Sequence, residues 1–187
     1  MTPGAHLLAS WLAALPCASS HRERRIVALA GVSPDLDGLG WLVDHLGARF
    51  GYGTDYYFSY HHAVAHNLLA ALIISAIAAA AAKTRRLVIF GAALLVIHLH
   101  FLCDVAGSRG PDGYQWPIPY LLPFSAAYDW TWSGQWELNA WQNVAITFAM
   151  LALACWIGWR RRYSFVETIS VRLDRAFFAI VARYAGG

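Results

Sequence analysis

Long apolar runs recur along this chain, and polar residues gather into short clusters between them. Spanning a bilayer core as a helix takes about 20 residues, or about 17 at the short end. Three runs reach that length: Ala63–Ala82, Leu87–Val105 and Ala140–Trp159. Two shorter runs precede them, Ala5–Leu15 and Ile26–Val32, the latter extending towards Leu36. Neither is long enough to cross alone, and both are expected as short helices packed on the long ones, where backbone faces protein rather than lipid. The C-terminal stretch SFVETISVRLDRAFFAIVARY spaces its apolar residues at helical intervals with Arg172, Arg175 and Arg183 among them. It reads as an amphipathic helix lying at the membrane surface over 163–185, with a partner-binding helix as the alternative. The expected fold is therefore all-α: a polytopic membrane protein with three long transmembrane helices, two short N-terminal helices and a C-terminal amphipathic helix.

Composition agrees with the pattern. Charged residues make up 13% and apolar ones 58% of 187 residues, with a mean hydropathy of +0.43; soluble domains carry about 25% charged residues. The length suits one domain, 1–187. Cys17, Cys103 and Cys155 stand apart with no CxxC spacing, so buried thiols rather than a disulfide framework are expected. The N-terminus lacks the basic start and cleavage site of a signal peptide and reads as part of the fold. There is neither a phosphate-binding GxxxxGK[ST] loop nor the basic–aromatic interleaving of a nucleic-acid surface, so nucleic acid is not an expected partner.

Charge is informative through its placement. Arg22, Arg24 and Arg25 form one cluster, Lys83, Arg85 and Arg86 a second, and Arg160, Arg161 and Arg162 a third. Alternating passes bring all three to one face, which the positive-inside rule makes cytoplasmic. The opposite face then receives the 44–62 loop and the long 106–139 connection, whose Tyr114, Trp116, Tyr120, Trp130, Trp132 and Trp136 have the composition of an aromatic belt.

Ionisable side chains beside membrane helices are costly and need a reason. In HFLCD, His100 and Asp104 are four apart and share a helix face, a spacing at which one helix offers two metal ligands; a buried histidine–carboxylate hydrogen bond explains the same pair. His98 lies towards the other side and reads as an ordinary core histidine. In SYHHAVAHNLL, His62 and His66 share a face if the segment is helical, and His61 converges with His66 if it sits in the turn before. In SPDLD, Pro34 and Gly38 put Asp35 and Asp37 on a turn at the same membrane face. His6 begins a short helix there. Arg109 and Asp112 occupy a Gly- and Pro-rich loop, where a guanidinium matches a phosphate in bidentate geometry; a plain surface arginine fits as well. The set His6, Asp35, Asp37, His61 or His62, His66, His100 and Asp104 offers nitrogen and oxygen without sulfur. It suits zinc, manganese or iron, and is too large for one tetrahedral ion.

These elements, GAHLL, SPDLD, HHAVAH and HFLCD in that order, resemble the YdjM-like family of membrane-bound metal-dependent hydrolases. That family carries G-H-L-L, P-D-[LI]-D, H-R-x-x-T-H and H-x-x-x-D before a proline-containing loop. The resemblance covers most of residues 1–125. The chain departs from it at His62, where arginine is usual, at Ala65 in place of threonine, and at Ala5 between Gly4 and His6. The family spacing selects His61 as ligand and leaves His62 as a substrate contact beside Arg109 and Asp112.

The family is in turn similar to zinc-dependent phospholipases C and single-strand zinc nucleases. That implies two or three zinc ions, catalytic roles for Asp35 or Asp37 in bridging metals or accepting a proton, and phosphoester hydrolysis by metal-activated water. Depth and aromatic rim favour a lipid or lipid-linked substrate at the outer face of the inner membrane. The competing reading is a non-enzymatic membrane protein whose histidines, such as His66 and His100, bind haem or carry protons. A di-iron oxidase would need more HxxxH motifs than the single one here.

Overall fold

The computed structural model describes residues 1–185 and is mostly helical. Its α-helices are α1 (Pro3–Ala14), α2 (His21–Val32), α3 (Gly40–Arg49), α4 (Tyr56–Tyr60), α5 (Leu68–Ala81), α6 (Arg86–Gly107), α7 (Trp141–Arg161) and α8 (Val171–Ala185). Two-residue strands, β1 (Ile118–Pro119) and β2 (Asp129–Trp130), pair antiparallel within the long connection.

Among the described residues, three helices are long and apolar enough to cross a membrane, as expected, but one is not where the hydrophobic runs place it. The spans are His21–Arg49, α6 and α7. The first is continuous because α2 passes through a 3₁₀ segment, Ser33–Leu39, directly into α3. The acidic SPDLD sequence is thus a helical turn inside a 29-residue span rather than a turn after a short helix. Pro34 occupies the first turn of the segment, where its missing N–H costs no hydrogen bond.

The run Ala63–Ala82 is helical only from Leu68, leaving 14 residues, too few to cross alone. Two local causes stop it. His62 adopts φ +67°, incompatible with a continuing helix. Asn67 then caps α5, its Oδ1 accepting from Ala70 N at 2.9 Å, while its Nδ2 donates to the Ala63 and Val64 carbonyls.

Packing explains why α1 and α2 reach the core. Ala14, Val27, Ala30, Ile89, Ala93 and Val96 form one buried cluster between α1, α2 and α6. A Cβ on Gly31 would lie 2.0 Å from Ser10 Oγ, so only glycine lets α1 and α2 approach here. At the other end of α1, Trp11 is fully buried and donates to Glu167, fastening α1 to the 3₁₀ segment Phe165–Thr168 that precedes α8. The amphipathic C-terminal segment is therefore helical from Val171 and tied down before that. The three cysteines are free as expected, but none is buried: Cys17 and Cys103 are partly exposed and Cys155 is exposed. His98 hydrogen-bonds the Tyr120 hydroxyl at 2.9 Å and pins the hairpin onto α6, the core role expected of it.

Candidate metal centre

Three elements and one turn carry their polar residues to one place. α1 brings His6, the 3₁₀ segment brings Asp35 and Asp37, the turn before α5 brings His61, His62 and His66, and α6 brings His100 and Asp104. Two groups result whose ligand atoms lie within 4.8 Å of one another: His6, Asp35, His100 and Asp104; and His61, His62 and His66. They touch where His66 Nε2 stands 3.1 Å from His100 Nε2.

The surroundings fix which imidazole nitrogen faces inward. His100 Nδ1 lies 2.8 Å from the Gly31 carbonyl, which only accepts, so Nδ1 holds the proton and the Nε2 lone pair points into the site. Asp37 acts likewise on two rings at once: His61 Nδ1 donates to its Oδ1 at 2.7 Å and His66 Nδ1 to its Oδ2 at 3.0 Å. Ala65 N adds a third hydrogen bond to Oδ2 at 3.1 Å. Asp37 is thus a bracket behind the histidines, the arrangement by which a second carboxylate orients metal-binding imidazoles.

Inside the bracket three nitrogen and oxygen atoms converge. Asp104 Oδ2 is 3.0 Å from His100 Nε2 and 3.5 Å from His66 Nε2. Asp104 is buried, yet among the described residues its Oδ2 has no hydrogen-bond partner, and neither does Asp35 Oδ2 or His6 Nδ1. Lone pairs this close need a cation between them, a proton or a metal ion. In four-coordinate zinc sites with bonds of about 2.0–2.1 Å, neighbouring donor atoms stand about 3.3 Å apart. The spacings of this trio bracket that value, so the residues present fit a metal. Asp104 Oδ1 is meanwhile occupied by His6 Nε2 at 3.1 Å and by the Met1 amino group.

Four residues of these two groups line the floor of a cleft of about 510 Å³. Asp35, His61, His62 and Asp104 reach it, and Trp116, Tyr57 and Arg109 line it as well. Arg109 Nε is buried without a partner. Asp112, expected to contact substrate, is exposed, and its Oδ1 accepts from Tyr114 N at 3.1 Å, which holds the loop turn. His61 and His62 both belong to the histidine group. His62 reaches it because its left-handed backbone turns the ring inward, where it stacks on His66 with centroids 4.2 Å apart.

Sequence reading misses the Gly31 carbonyl, since backbone acceptors leave no residue-type signal. It also misses Tyr57, stacked on His61 at 4.7 Å; their i, i+4 spacing is the signal that was available. Asp37→Asn distinguishes a bracket from a ligand. An amide accepts from only one of the two histidines, so metal affinity should fall about 10–100-fold, while full loading returns at high metal in equilibrium dialysis. A stoichiometric deficit at saturation would instead make Asp37 a ligand.

The model of the YdjM inner membrane protein family matches residues 1–184, and the chain belongs to that family. It is an integral inner membrane protein. Neither the curated proteins nor the solved structures contain a match to it.

Proposed function

We propose that this protein is a membrane-embedded, multinuclear metal-dependent hydrolase acting on a lipid or lipid-linked phosphoester. One observation carries the reading: orphaned nitrogen and oxygen atoms converge on the floor of a cleft whose wall holds an unpartnered, buried guanidinium nitrogen. His6, Asp35, His100 and Asp104, with His66, His61 and His62, would hold two or three ions. Their nitrogen–oxygen chemistry suits zinc, with manganese or iron as alternatives. A bound ion supplies a Lewis acid and lowers the pKa of water towards about 7, giving a nucleophile at neutral pH.

The chain's own residues have separable tasks. Asp37 and the Gly31 carbonyl hold the imidazoles with Nε2 forward. Asp35 keeps one carboxylate oxygen unspent at the cleft, suited to bridging ions or accepting a proton from water. Arg109 offers a planar fork to a phosphate seated above the floor. Tyr57 and Trp116 present apolar faces to the remainder of a lipid and keep bulk water from the site.

Metal-replete protein should release phosphorylated headgroups from phospholipid–detergent micelles. Arg109→Gln should lower kcat/KM about 10–100-fold, the loss of a charge-assisted hydrogen-bonded pair. Fully metallated protein that cleaves no phosphoester across neutral, anionic and isoprenoid-linked lipids would remove the phosphoester reading. The arginine clusters support a cleft that faces the periplasm. A cysteine at Asp112 should then react with an impermeant thiol reagent in intact cells; protection there reverses the orientation.

A further inference from the structure

A second cleft, of about 380 Å³, lies far along the chain from the metal centre, between α7 and α8. Its walls are almost wholly apolar: Leu151, Cys155 and Trp159 from α7, Phe165 before α8, and Phe177 and Val181 from α8. We propose that this cleft seats an acyl chain of one anionic phospholipid, whose phosphate is held by the arginines that end α7.

Charge selects the occupant. Between residues 156 and 183 the only acids are Glu167 and Asp174, and both are buried and engaged. Glu167 accepts from Arg24, and Asp174 accepts from Ser164 N at 3.0 Å and Ser164 Oγ at 2.7 Å. Every exposed charge in this stretch is therefore positive. Arg162 Cζ sits 5.4 Å from the ring centre of Trp159, a wall of the cleft, and Arg160 Cζ sits 5.7 Å from that of Trp156. Both guanidiniums are exposed at the end of a candidate membrane span, hence at headgroup depth. Helix α8 is amphipathic, with Phe177 in the cleft and Arg172, Arg175 and Arg183 exposed. An apolar slot with positive charge stacked on its wall at that depth matches a lipid with an acyl tail and a net negative head. A zwitterionic lipid fills the slot but forgoes much of the attraction. This seat does not depend on what the metal centre does.

The test uses the whole purified protein, delipidated in nonionic detergent and titrated with chain-matched phosphatidylglycerol or phosphatidylcholine under native mass spectrometry. One phosphatidylglycerol per chain should be retained, on the order of tenfold more tightly than phosphatidylcholine. Arg160→Gln with Arg162→Gln should abolish that preference. Cys155→Trp, which fills the slot, should lower retention of both lipids. Equal retention of the two lipids by the unmodified chain overturns the proposal, and that comparison needs no variant to fold. An intact preference in the double arginine variant overturns it as well, as does a lipid-independent dimer mass, which would mean that a second copy covers the face.

Discussion

Asp104→Asn should cost the protein at least one bound metal ion, with a drop in affinity well beyond the roughly 10–100-fold typical of a lost outer-shell partner. The residue sits where both groups meet. Its Oδ2 lies 3.0 Å from His100 Nε2 and 3.5 Å from His66 Nε2, and its Oδ1 takes His6 at 3.1 Å. An asparagine is the same size, so packing in α6 is preserved. The His100 ring stays in place because the Gly31 carbonyl holds its other nitrogen at 2.8 Å. The variant removes the charge and one lone-pair donor, and with them the buried ion pair to the Met1 amino group. Metal content after purification with excess zinc reads the effect, and thermal unfolding of the apo forms checks that the fold survived. Unchanged metal content would show that Asp104 is a plain partner for His100.

Glu167→Gln should destabilise the protein by about 3–5 kcal/mol, the cost of leaving a buried charge without its partner. Glu167 is 0% exposed and binds Arg24 twice, Nε at 2.5 Å and Nη2 at 2.9 Å. It also accepts from Trp11 Nε1 at 3.0 Å and meets His21 Nδ1. Arg24 is itself 5% exposed, with its Cζ 3.9 Å from the Tyr163 ring centre, so a neutral amide strands the guanidinium out of water. This knot joins α1, α2 and the C-terminal segment, and its loss should lower the unfolding temperature in detergent and expose α8 to protease.

The same knot sets an acid limit. Burial pushes the Glu167 carboxyl upward, but the hydrogen bonds from Arg24, His21 and Trp11 outweigh it and hold the pKa below its ordinary 4.5. A lowered folded-state pKa means that its stabilisation is complete above 4.5 and is lost as pH falls through the folded value.

Most of the centre was legible because its signal was chemical. His6, SPDLD, HHAVAH and HFLCD supplied unexplained polarity at one predicted face, and the fold brings all of those histidines and aspartates together. Where the reading slipped, the cause was local backbone. Hydrophobicity alone extended α5 back through Ala63, because alanine and valine there look helical; the left-handed His62 and the Asn67 cap end it at Leu68. Pro34 and Gly38 suggested a break, yet the chain continues as a 3₁₀ turn, since proline in a first turn is harmless. That error hid the 29-residue span. Asp37 was recognisable as part of the site but not as the bracket behind two rings, a distinction that only distances make. Glu167 and Arg24, separated by 143 residues, carried no pattern that would pair them.

Metal held by the converging lone pairs should stay with the protein when free metal is removed. Protein expressed and purified with sufficient zinc, manganese and iron, then exchanged into metal-free buffer and measured by inductively coupled plasma mass spectrometry, tests it most directly. Two or three ions per chain is the expected result. Less than one ion per chain would mean that these residues hold no metal.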